Sequence, residues 1–444
     1  MTIYFTGSMV LGVLTAFVWL VRLLAIGPAL RRRTALTASS YHDRAAPQGK
    51  VSVLIAAKDE EHTIETCVRS LFEQDYPNFE VIVADDRSAD RTPEILSRLQ
   101  EEFGDRLRCR RIDDLPEGWT FGKSHAMHRA VSFATGDWLL FTDADCRQIS
   151  PRTITTAIHD AVVHHADFLS VTPVLESETF WERVFQPACT LTLIVWFLPD
   201  RVNDPRKATA YANGAFMLLR RSCYEGVGGH LAVRAALNED IHLARAAKRA
   251  GFQLRVCGNE GLYSTRMYRS IGEAWRGWTR NFYGCLETLP RLAAAAALVF
   301  VVSLVPWISA LASWLALSLD SNVHDAWRVA SSLIWTTSVI LMQLVLWRMY
   351  PVVAGHSRFS LLYFFGAAGT FAVLCNAIIK AAGISGITWR GHSNRKMGSV
   401  VSEQADRSCA GPTTSLRNDA AFETQVPRLK DSRACVRPST SVNR

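Results

Sequence analysis

Four long apolar segments limit what this chain of 444 residues can fold into more than any other feature. A membrane-spanning helix takes about 20 consecutive apolar residues. The segments that meet this length are residues 8–27, 292–318, 329–347 and 361–381. Residues 45–285, in contrast, are of mixed polarity and are predicted to form one globular domain. The sequence therefore predicts a membrane protein that carries one soluble domain.

The first apolar segment is predicted to be an uncleaved anchor rather than a signal peptide. Its apolar core is longer than that of a signal peptide, no A-x-A-type cleavage site follows it, and the basic cluster 31–33 follows the core instead of preceding it. Positive residues stay on the cytoplasmic side of a membrane. The N-terminus is therefore expected on the outer side of the cell membrane, and the chain from residue 31 onward on the cytoplasmic side.

The C-terminal region contains a conflict over topology. If all three of its apolar segments cross, residues 398–444 lie outside, whereas Arg390, Arg395 and Lys396 favour the inside. A re-entrant segment would remove the conflict, and so would a short hairpin of 292–318, which Pro306 interrupts. Residues 398–444 have no apolar periodicity and are predicted to be disordered.

Charge and cysteine usage narrow the setting further. The formal net charge of +8 fits a cytoplasmic face that lies against anionic lipid. The basic residues are dispersed and no nucleic-acid-binding motif accompanies them, which argues against a nucleic-acid partner. The ten cysteines show neither CxxC pairs nor a metal-ligand spacing, and this favours free thiols in a reducing compartment.

The first half of the domain alternates between strands and helices. VSVLIAA and FEVIVAD are continuous apolar runs, typical of strands covered on both faces. Apolar residues between them recur at helical spacing, which completes a βαβ unit. The elements predicted to follow are a helix at 93–102, a weak strand at 106–112, a helix at 123–134 and a strand at 137–142. This order predicts an open α/β sheet of Rossmann-like type, with ligands at the carboxyl ends of the strands.

The second half of the domain is less regular. Strands are predicted at 168–173 and 213–219, and a helix from Asn238 to Arg249. Residues 180–199 and 271–289 are amphipathic and rich in aromatic residues. They are interpreted as lying in the membrane interface, with ordinary core packing as the alternative.

Acidic pairs follow two of the predicted strands. Asp143 and Asp145 are two residues apart in extended chain, so both carboxylates point to the same side. Such a pair suits Mg²⁺ or Mn²⁺, which commonly bridge carboxylates to substrate phosphates; the alternative is an exposed acidic turn. Asp85 and Asp86 end an earlier strand, where a carboxylate accepts hydrogen bonds from a ribose or a base, unless the stretch is simply a turn.

Two further charged groups stand at predicted helix starts. Asn238-Glu239-Asp240 places two acids where the helix dipole favours them, so capping explains them as well as a catalytic base does. Lys123 could reach a phosphate from its helix N-terminus or could be a solvated lysine.

Taken together, these motifs resemble the family 2 glycosyltransferases. VSVLIAAKDEEHTIETCVRSLFEQDYPNFEVIVADDRSADRT is similar to the opening of that family, TDAD to its DxD motif, and NED to the motif that holds its base. LPEGWTFGKSHAM, FWERVFQP and GLYSTRMYRSIGEAWRGW resemble the hopene-associated and carotenoid-type members. The resemblance implies a GT-A domain, α/β and Rossmann-like, with flanking transmembrane helices.

The resemblance also implies roles for individual residues. It implies that the nucleotide pocket is lined by Ala56, Lys58, Glu60 and Asp86, and that Lys123 contacts the diphosphate. It implies that Asp143 contacts the ribose and the metal, and that Asp145 is a direct metal ligand. It implies that Asp240 is the catalytic base and that Glu239 and Arg280 belong to the same catalytic group. The family's (Q/R)xxRW sequence is reduced here to an arginine, because the matching stretch reads GWTRN. Arg280 is expected to pair with the diphosphate, and Trp275 or Trp278 to replace the missing tryptophan.

The implied activity is metal-dependent, inverting sugar transfer from a nucleotide sugar, UDP-linked by the resemblance, to a hydroxyl of a membrane lipid. Hopanoid-, carotenoid- and sphingolipid-like acceptors all fit. A polyprenyl-phosphate sugar transferase and a polysaccharide synthase are the alternatives within the same fold, although the loss of the full (Q/R)xxRW sequence argues against processive synthesis. A non-catalytic membrane scaffold is the alternative from another class.

Overall fold

The computed structural model describes residues 2–44, 48–319, 326–354, 356–383, 387–389 and 392–394, and the predicted disordered tail lies outside this part. The strands are β1 (Ala35–Thr37), β2 (Val51–Ala57), β3 (Phe79–Asp86), β4 (Leu107–Ile112), β5 (Trp138–Asp143), β6 (Cys146–Gln148), β7 (Phe168–Val171), β8 (Val174–Leu175), β9 (Phe216–Arg220), β10 (Leu254–Glu260), β11 (Tyr263–Thr265), β12 (Ile387–Trp389) and β13 (His392–Asn394).

The helices are α1 (Thr2–Arg32), α2 (Ile64–Phe72), α3 (Thr92–Phe103), α4 (Gly122–Val131), α5 (Thr153–Val163), α6 (Phe180–Trp196), α7 (Pro199–Asn203), α8 (Arg221–Gly226), α9 (Gly229–Ala232), α10 (Glu239–Arg249), α11 (Ile271–Leu286), α12 (Leu289–Leu298), α13 (Val305–Leu319), α14 (Ala326–Ala354) and α15 (Tyr363–Ala381). A π-helical stretch, Val299–Leu304, joins α12 to α13. Short 3₁₀ helices lie at Gly104–Arg106 and Ser357–Leu362.

The domain is built on an eight-stranded sheet in the order β1-β10-β7-β9-β5-β2-β3-β4. β9 runs antiparallel to both of its neighbours, β5 and β7, while the other pairings are parallel. The sequence did not indicate this reversal, because a strand buried on both faces reads as a continuous apolar run in either direction. The predicted α/β class is right, but the sheet is mixed.

The carboxyl ends of the central strands lie side by side. The register pairs Ala56 of β2 with Ala84 of β3 on one side and with Asp143 of β5 on the other. Below this edge, α2 buries Ile64 and Leu71 against the sheet, as its helical spacing predicts. The polar residues that follow β2, β3 and β5 are therefore gathered at one edge of the sheet.

Four helical segments are long and apolar enough to cross a membrane: Gly7–Arg32, Leu289–Leu319, Ala326–Val353 and Ser357–Ala381. Leu289–Leu319 is one continuous helical run, so the hairpin considered for 292–318 is wrong. Its π-helical stretch lies just before Pro306, where the missing N–H and the ring disturb regular α-helical hydrogen bonding.

The first membrane helix passes almost directly into the sheet. Two residues after α1, strand β1 pairs in parallel with β10 at the sheet edge. An ion pair of 3.5 Å between Arg33 and Glu260 lies at the same junction. The domain is thereby joined to its anchor without a linker.

The two amphipathic stretches predicted from the sequence form α6 and α11. Their buried faces, with residues such as Val184 and Phe282, belong to the same apolar core as α12 and α15. Phe180 and Ile271 at their N-terminal ends are two-thirds exposed. Core packing and an exposed apolar end thus occur in the same helices. The cysteines of the described residues are all free thiols, in agreement with the prediction.

Candidate active site

Two separate stretches of the chain bring acidic side chains to the carboxyl edge of the sheet, and a third stretch brings a lysine. Asp143 ends β5, and Asp145 follows in the turn to β6. Glu239 and Asp240 open α10, which lies about a hundred residues later in the chain. Lys123, at the start of α4, links them, because its ammonium is 2.7 Å from Asp143 Oδ1 and 3.0 Å from Glu239 Oε1. The DxD and NED motifs therefore share one crevice.

Asp145 lies in a strongly negative part of this crevice. Burial first, and then the nearby carboxylates of Asp143 and Glu60, raise the pKa of Asp145 to about 7. Glu60 itself is held by a hydrogen bond of 2.9 Å from the Thr63 hydroxyl. Ionising Asp145 therefore costs more free energy than ionising an exposed aspartate, and a nearby cation would reduce that cost.

Lys123 is the cation that the protein itself supplies. Burial alone would lower its pKa, but the adjacent Asp143 and Glu239 carboxylates raise the pKa of Lys123 well above its usual value. The lysine is therefore charged at neutral pH and is not the solvated residue of the alternative interpretation. A single ammonium balances only part of the charge of the carboxylates around it.

Asp240 is oriented by two backbone N–H groups. Its Oδ2 accepts from Gly214 at 2.9 Å and its Oδ1 from Ile241 at 2.7 Å. Burial and then the neighbouring Glu239 carboxylate raise the pKa of Asp240 to about 7. Asn238, the N-cap residue, caps nothing with its side chain and instead donates to Cys285 Sγ at 3.3 Å. The Asn238 side chain therefore does not cap α10, whereas Asp240 accepts an N–H of its first turn.

The other predicted pocket residues lie at the end of β3 and beside it. The Lys58 ammonium donates to the carbonyls of Asp86 and Arg87, at 3.2 and 3.3 Å. Asp86 is buried, and a Cβ at Gly122 would overlap its carboxylate, so the start of α4 packs directly against it. Ala56 lies between these groups and Asp143, as the strand register requires. Lys58, Asp86 and Lys123 therefore line adjacent parts of one edge.

The structure adds residues that the sequence analysis missed. A Cβ at Gly214 would lie 3.2 Å from the Lys123 ammonium and 3.5 Å from Asp240 Oδ2, so a side chain there would press on both groups. The Tyr211 hydroxyl accepts a hydrogen bond from the Asn213 amide, and burial raises the pKa of Tyr211, with the charges of Cys285 and then Asp240 adding to this effect. The only available sequence signal was the NGA turn before β9, which is too common to indicate a site.

Tyr268, also missed, lies between the DxD motif and α11. Burial raises the pKa of Tyr268 to about 12, with Asp145 adding to this effect and Arg280 opposing it. The tyrosine hydroxyl accepts from Asn281 at 3.3 Å, and its ring fills the space beside Gly277. Arg280 is therefore placed near the crevice through Tyr268.

The two tryptophans considered for acceptor stacking differ in environment. Trp278 is buried in the apolar core, with its ring centroid 5.7 Å from that of Phe282. Trp275 is 39% exposed, on the same face of α11 as Ile271. Of the two, Trp275 is the one that an acceptor could reach without repacking of the core.

The donor set suits a hard divalent ion held together with phosphate. Asp143 and Asp145 offer carboxylate oxygens, which such ions prefer. No group of three or more His, Cys, Asp or Glu side chains poised to hold a metal occurs in the described part of the chain. Two carboxylates are too few for a complete metal cage, but they match an ion whose remaining ligands come from a diphosphate and water.

Comparison with known proteins shows similarity to glycosyltransferases. The family model of Glycosyl transferase family 2 matches residues 52–228. A beta-monoglucosyldiacylglycerol synthase of Trichormus variabilis is 30% identical over 186 residues, which make up 40% of this chain and 37% of that protein. A 4,4'-diaponeurosporenoate glycosyltransferase of Staphylococcus aureus is 26% identical over 248 residues, or 55% and 64% of the two chains. This chain therefore spans less than two thirds of either relative.

A solved structure is similar to this chain over most of the length of both chains. A mannosyltransferase from Pyrobaculum calidifontis, in complex with GDP-Man and Mn²⁺, has a TM-score of 0.50 and 18% sequence identity, and the match covers 84% of this chain and 99% of the other. At this identity the likeness concerns the fold. It confirms the predicted α/β architecture of GT-A type.

Proposed function

We propose that the chain transfers a sugar from a nucleotide sugar to a hydroxyl of a membrane lipid, and that residues 52–228, which match the family model of Glycosyl transferase family 2, form the domain that does so. One observation carries the proposal above all others. Lys123 bridges Asp143 of the DxD motif and Glu239 of the NED motif, and Asp240 lies next to them. A metal–diphosphate site and a carboxylate base are thus combined in one crevice.

Asp240 is proposed as the general base. A base works best when its pKa lies near the working pH, and the raised pKa of Asp240, about 7, meets this condition. The backbone N–H groups of Gly214 and Ile241 fix the direction of its carboxylate. As the acceptor oxygen bonds to the anomeric carbon, its proton passes to Asp240, and the bond from that carbon to the diphosphate oxygen breaks. A single displacement of this kind inverts the anomeric configuration.

Lys123, Asp143 and Asp145 are proposed to receive the diphosphate end of the donor. Asp143 and Asp145 would hold Mg²⁺ or Mn²⁺, which neutralises charge on the leaving diphosphate. Lys123 would then exchange one of its carboxylate partners for phosphate, and Arg280 is proposed to assist it. The nucleoside is assigned to the edge formed by Ala56, Lys58, Glu60 and Asp86, and uridine is the proposed base.

A lipid acceptor is supported by the relatives and by the position of the domain. The names of the two relatives refer to a diacylglycerol and to a diaponeurosporenoate, both lipids. In this chain, α6 and α11 pack against the membrane helices, and exposed apolar residues lie at their ends. We propose that these helices bring the crevice to the bilayer surface. We propose a hydroxyl acceptor and not a lipid phosphate, because a phosphate oxygen is already deprotonated and would not require Asp240 as a base.

The protein is a membrane protein, and we propose that its catalytic domain is cytoplasmic, in the inner membrane of the cell. The basic cluster at 31–33 supports this side, since it directly follows the first membrane helix. Nucleotide sugars would then reach the crevice from the cytosol, while the lipid acceptor stays in the inner leaflet.

The test is transfer by the full chain, purified in detergent and mixed with a labelled UDP-sugar, Mn²⁺ or Mg²⁺ and candidate lipids. We expect a glycolipid whose anomeric configuration, measured by NMR, is opposite to that of the donor, and no product after chelation. Retention of configuration would overturn the single displacement. Transfer to a polyprenyl phosphate but to no hydroxyl lipid would favour the alternative transferase, and the absence of both transfer and donor hydrolysis would favour the scaffold.

A further inference from the structure

Helix α15 meets the requirements of length and composition for a membrane span, but its contacts place it elsewhere. A helix of 19 residues is about 28 Å long. If α15 crossed the bilayer, one of its ends would be far from the catalytic domain. The directions of the neighbouring helices show on which side of the bilayer each end of α15 lies.

α14 runs in the same direction as α1. The Trp335 indole donates to Ser8 Oγ at 3.2 Å, and the Ser338 hydroxyl donates to Thr15 Oγ1 at 3.1 Å, so the residue numbers rise together along the two helices. α1 leads into β1 of the catalytic domain. α14 therefore also ends on the side of the domain.

The run from α12 to α13 proceeds in the opposite direction. Val302 accepts a hydrogen bond of 3.0 Å from Trp19 of α1. Further along, the Trp314 indole donates to Thr336 Oγ1 near the start of α14, at 2.9 Å. The run thus leaves the domain at α12 and ends on the far side of the bilayer.

α15 packs antiparallel to the first part of this run, and its C-terminal end points toward the domain. The Tyr363 hydroxyl is 3.0 Å from Ser303 Oγ, and the Phe371 ring is 5.3 Å from the ring of Phe300. Five residues before α15 ends, the Asn376 amide donates to Thr279 Oγ1 of α11, at 3.0 Å. The C-terminal end of α15 therefore lies against a helix of the catalytic domain.

The first half of α15 also lies against the domain. A Cβ at Gly366 would overlap the carbonyl of Val184 in α6, so the two helices are in backbone contact there. One turn later, Thr370 Oγ1 is 3.3 Å from Cys189 Sγ of α6. Just before the helix begins, the Phe359 ring lies 6.3 Å from that of Phe180. Both ends of α15 are thus on one side.

We propose that α15 does not cross the membrane: the chain crosses three times, through α1, α12–α13 and α14, and its C-terminus lies on the same side as the catalytic domain. α15 then joins α6 and α11 in a helical layer between the domain and the bilayer. Its apolar composition comes from packing within this layer, since a helix that is apolar on all sides is found in protein cores as well as in membranes.

The charges of the sequence fit three crossings and conflict with four. With three, Lys380, Arg390, Arg395 and Lys396 lie on the side of the basic cluster at 31–33. The connection on the opposite side, residues 320–325, reads DSNVHD and carries no lysine or arginine. A helix at the membrane surface, α15, thus takes the place of the re-entrant segment that would have removed the conflict over topology.

The test is cysteine labelling of the full chain with a membrane-impermeant maleimide, before and after the cells are permeabilised. Three single variants are compared in a chain whose Cys409 and Cys435 are replaced by serine: Ser402→Cys in the tail, Ser321→Cys between α13 and α14, and Glu101→Cys on the exposed surface of the domain. Labelling is read on the peptide that carries each new cysteine, so that the native thiols do not interfere.

We expect Ser402→Cys and Glu101→Cys to react only after permeabilisation and Ser321→Cys to react in intact cells, at least tenfold faster than the other two. Reaction of the tail in the same class as residue 321, or of all three sites in one class, would overturn the proposal. If the labelling pattern of all three sites were reversed, the proposal for α15 would stand, and only the cytoplasmic location of the domain would be overturned. The two proposals therefore fail separately.

Discussion

Two clusters around aspartates, at different places in the domain, differ in how their charge is balanced. Asp160 of α5 is completely buried, yet Arg255 donates to both of its oxygens, at 2.6 and 3.1 Å, and the Tyr41 hydroxyl donates at 2.8 Å. Asp145 and Asp240 are more accessible, but their carboxyl groups have pKa values raised to about 7.

We propose that this difference distinguishes a carboxylate with a structural role, Asp160, from the two with a role in the reaction, Asp145 and Asp240. Around Asp160 the chain provides a complete counter-charge, and it ties the segment after β1 to α5 and β10. Around Asp145 and Asp240 it provides an incomplete one, which a metal ion and a substrate would complete. A buried carboxylate whose balance is left open is thus a stronger indicator of a ligand site than burial itself.

The strongest change that we predict is a loss of stability when Asp160 loses its charge. Asp160→Asn leaves the Arg255 guanidinium buried without its carboxylate, and we expect it to lower the free energy of unfolding by about 3–5 kcal/mol. Thermal denaturation in detergent measures the change. Asp113→Asn, at an exposed partner of Arg111, is the matched control and should barely change the melting temperature. The activity per folded molecule of Asp160→Asn should stay normal; a selective loss of turnover would remove the contrast between the clusters.

Asp240→Asn should show the reverse pattern. We expect turnover to fall by about 10² or more while the melting temperature and donor affinity stay near their original values, because only the proton acceptor is lost. Steady-state transfer kinetics and donor titration measure both quantities. Turnover within threefold of the unmodified chain would exclude Asp240 as the base.

The raised pKa of Asp240 also predicts how activity depends on pH. Below about pH 7 the carboxyl group is protonated and cannot accept a proton, so kcat/KM should fall about tenfold per pH unit there and level off above it. The assay is run at saturating Mn²⁺, which keeps Asp145 ionised. A profile that stays flat down to pH 5 would contradict this assignment.

The smallest effect in this comparison is a shift of that profile. Lys123 lowers the pKa of Asp240 by its charge, so Lys123→Met should move the acid limb of kcat/KM upward by about one pH unit. Lys248→Met is the control, because the Lys248 ammonium donates to backbone carbonyls of Val202 and Thr209 instead of carboxylates. An unchanged limb in Lys123→Met would show that the two groups do not interact.

Much of the site could be predicted because its motifs are local. A carboxylate pair directly after an apolar strand is positioned by the strand itself, and this is why Asp143 and Asp145 were predicted to lie at the carboxyl edge. Gly214 and Tyr268 could not be found in this way. Their importance comes from contacts with residues distant in sequence, Asp240 in one case and α11 in the other.

The same limit applies to the direction of β9 and to the position of α15, which the sequence does not indicate. The direction of β9 depends on the path taken by α6 and α7 before it, and no pattern within the strand records that path. The apolar composition of 361–381 predicts a membrane span, and the length of the helix there is also sufficient for one. Our proposal that α15 packs against the domain instead rests on its contacts, because hydropathy does not distinguish lipid from a neighbouring helix. Tertiary packing decides both features.

The direct passage from α1 into β1 has a consequence for the choice of acceptor. Only Arg33 and Thr34 separate the membrane helix from the edge of the sheet. We expect this short connection to hold the crevice at a nearly constant height above the bilayer, so that the crevice could not move outward to follow a growing carbohydrate. We expect such an enzyme to measure its acceptors by reach: it would add the first sugar to a hydroxyl near the hydrocarbon boundary and leave longer glycolipids untouched.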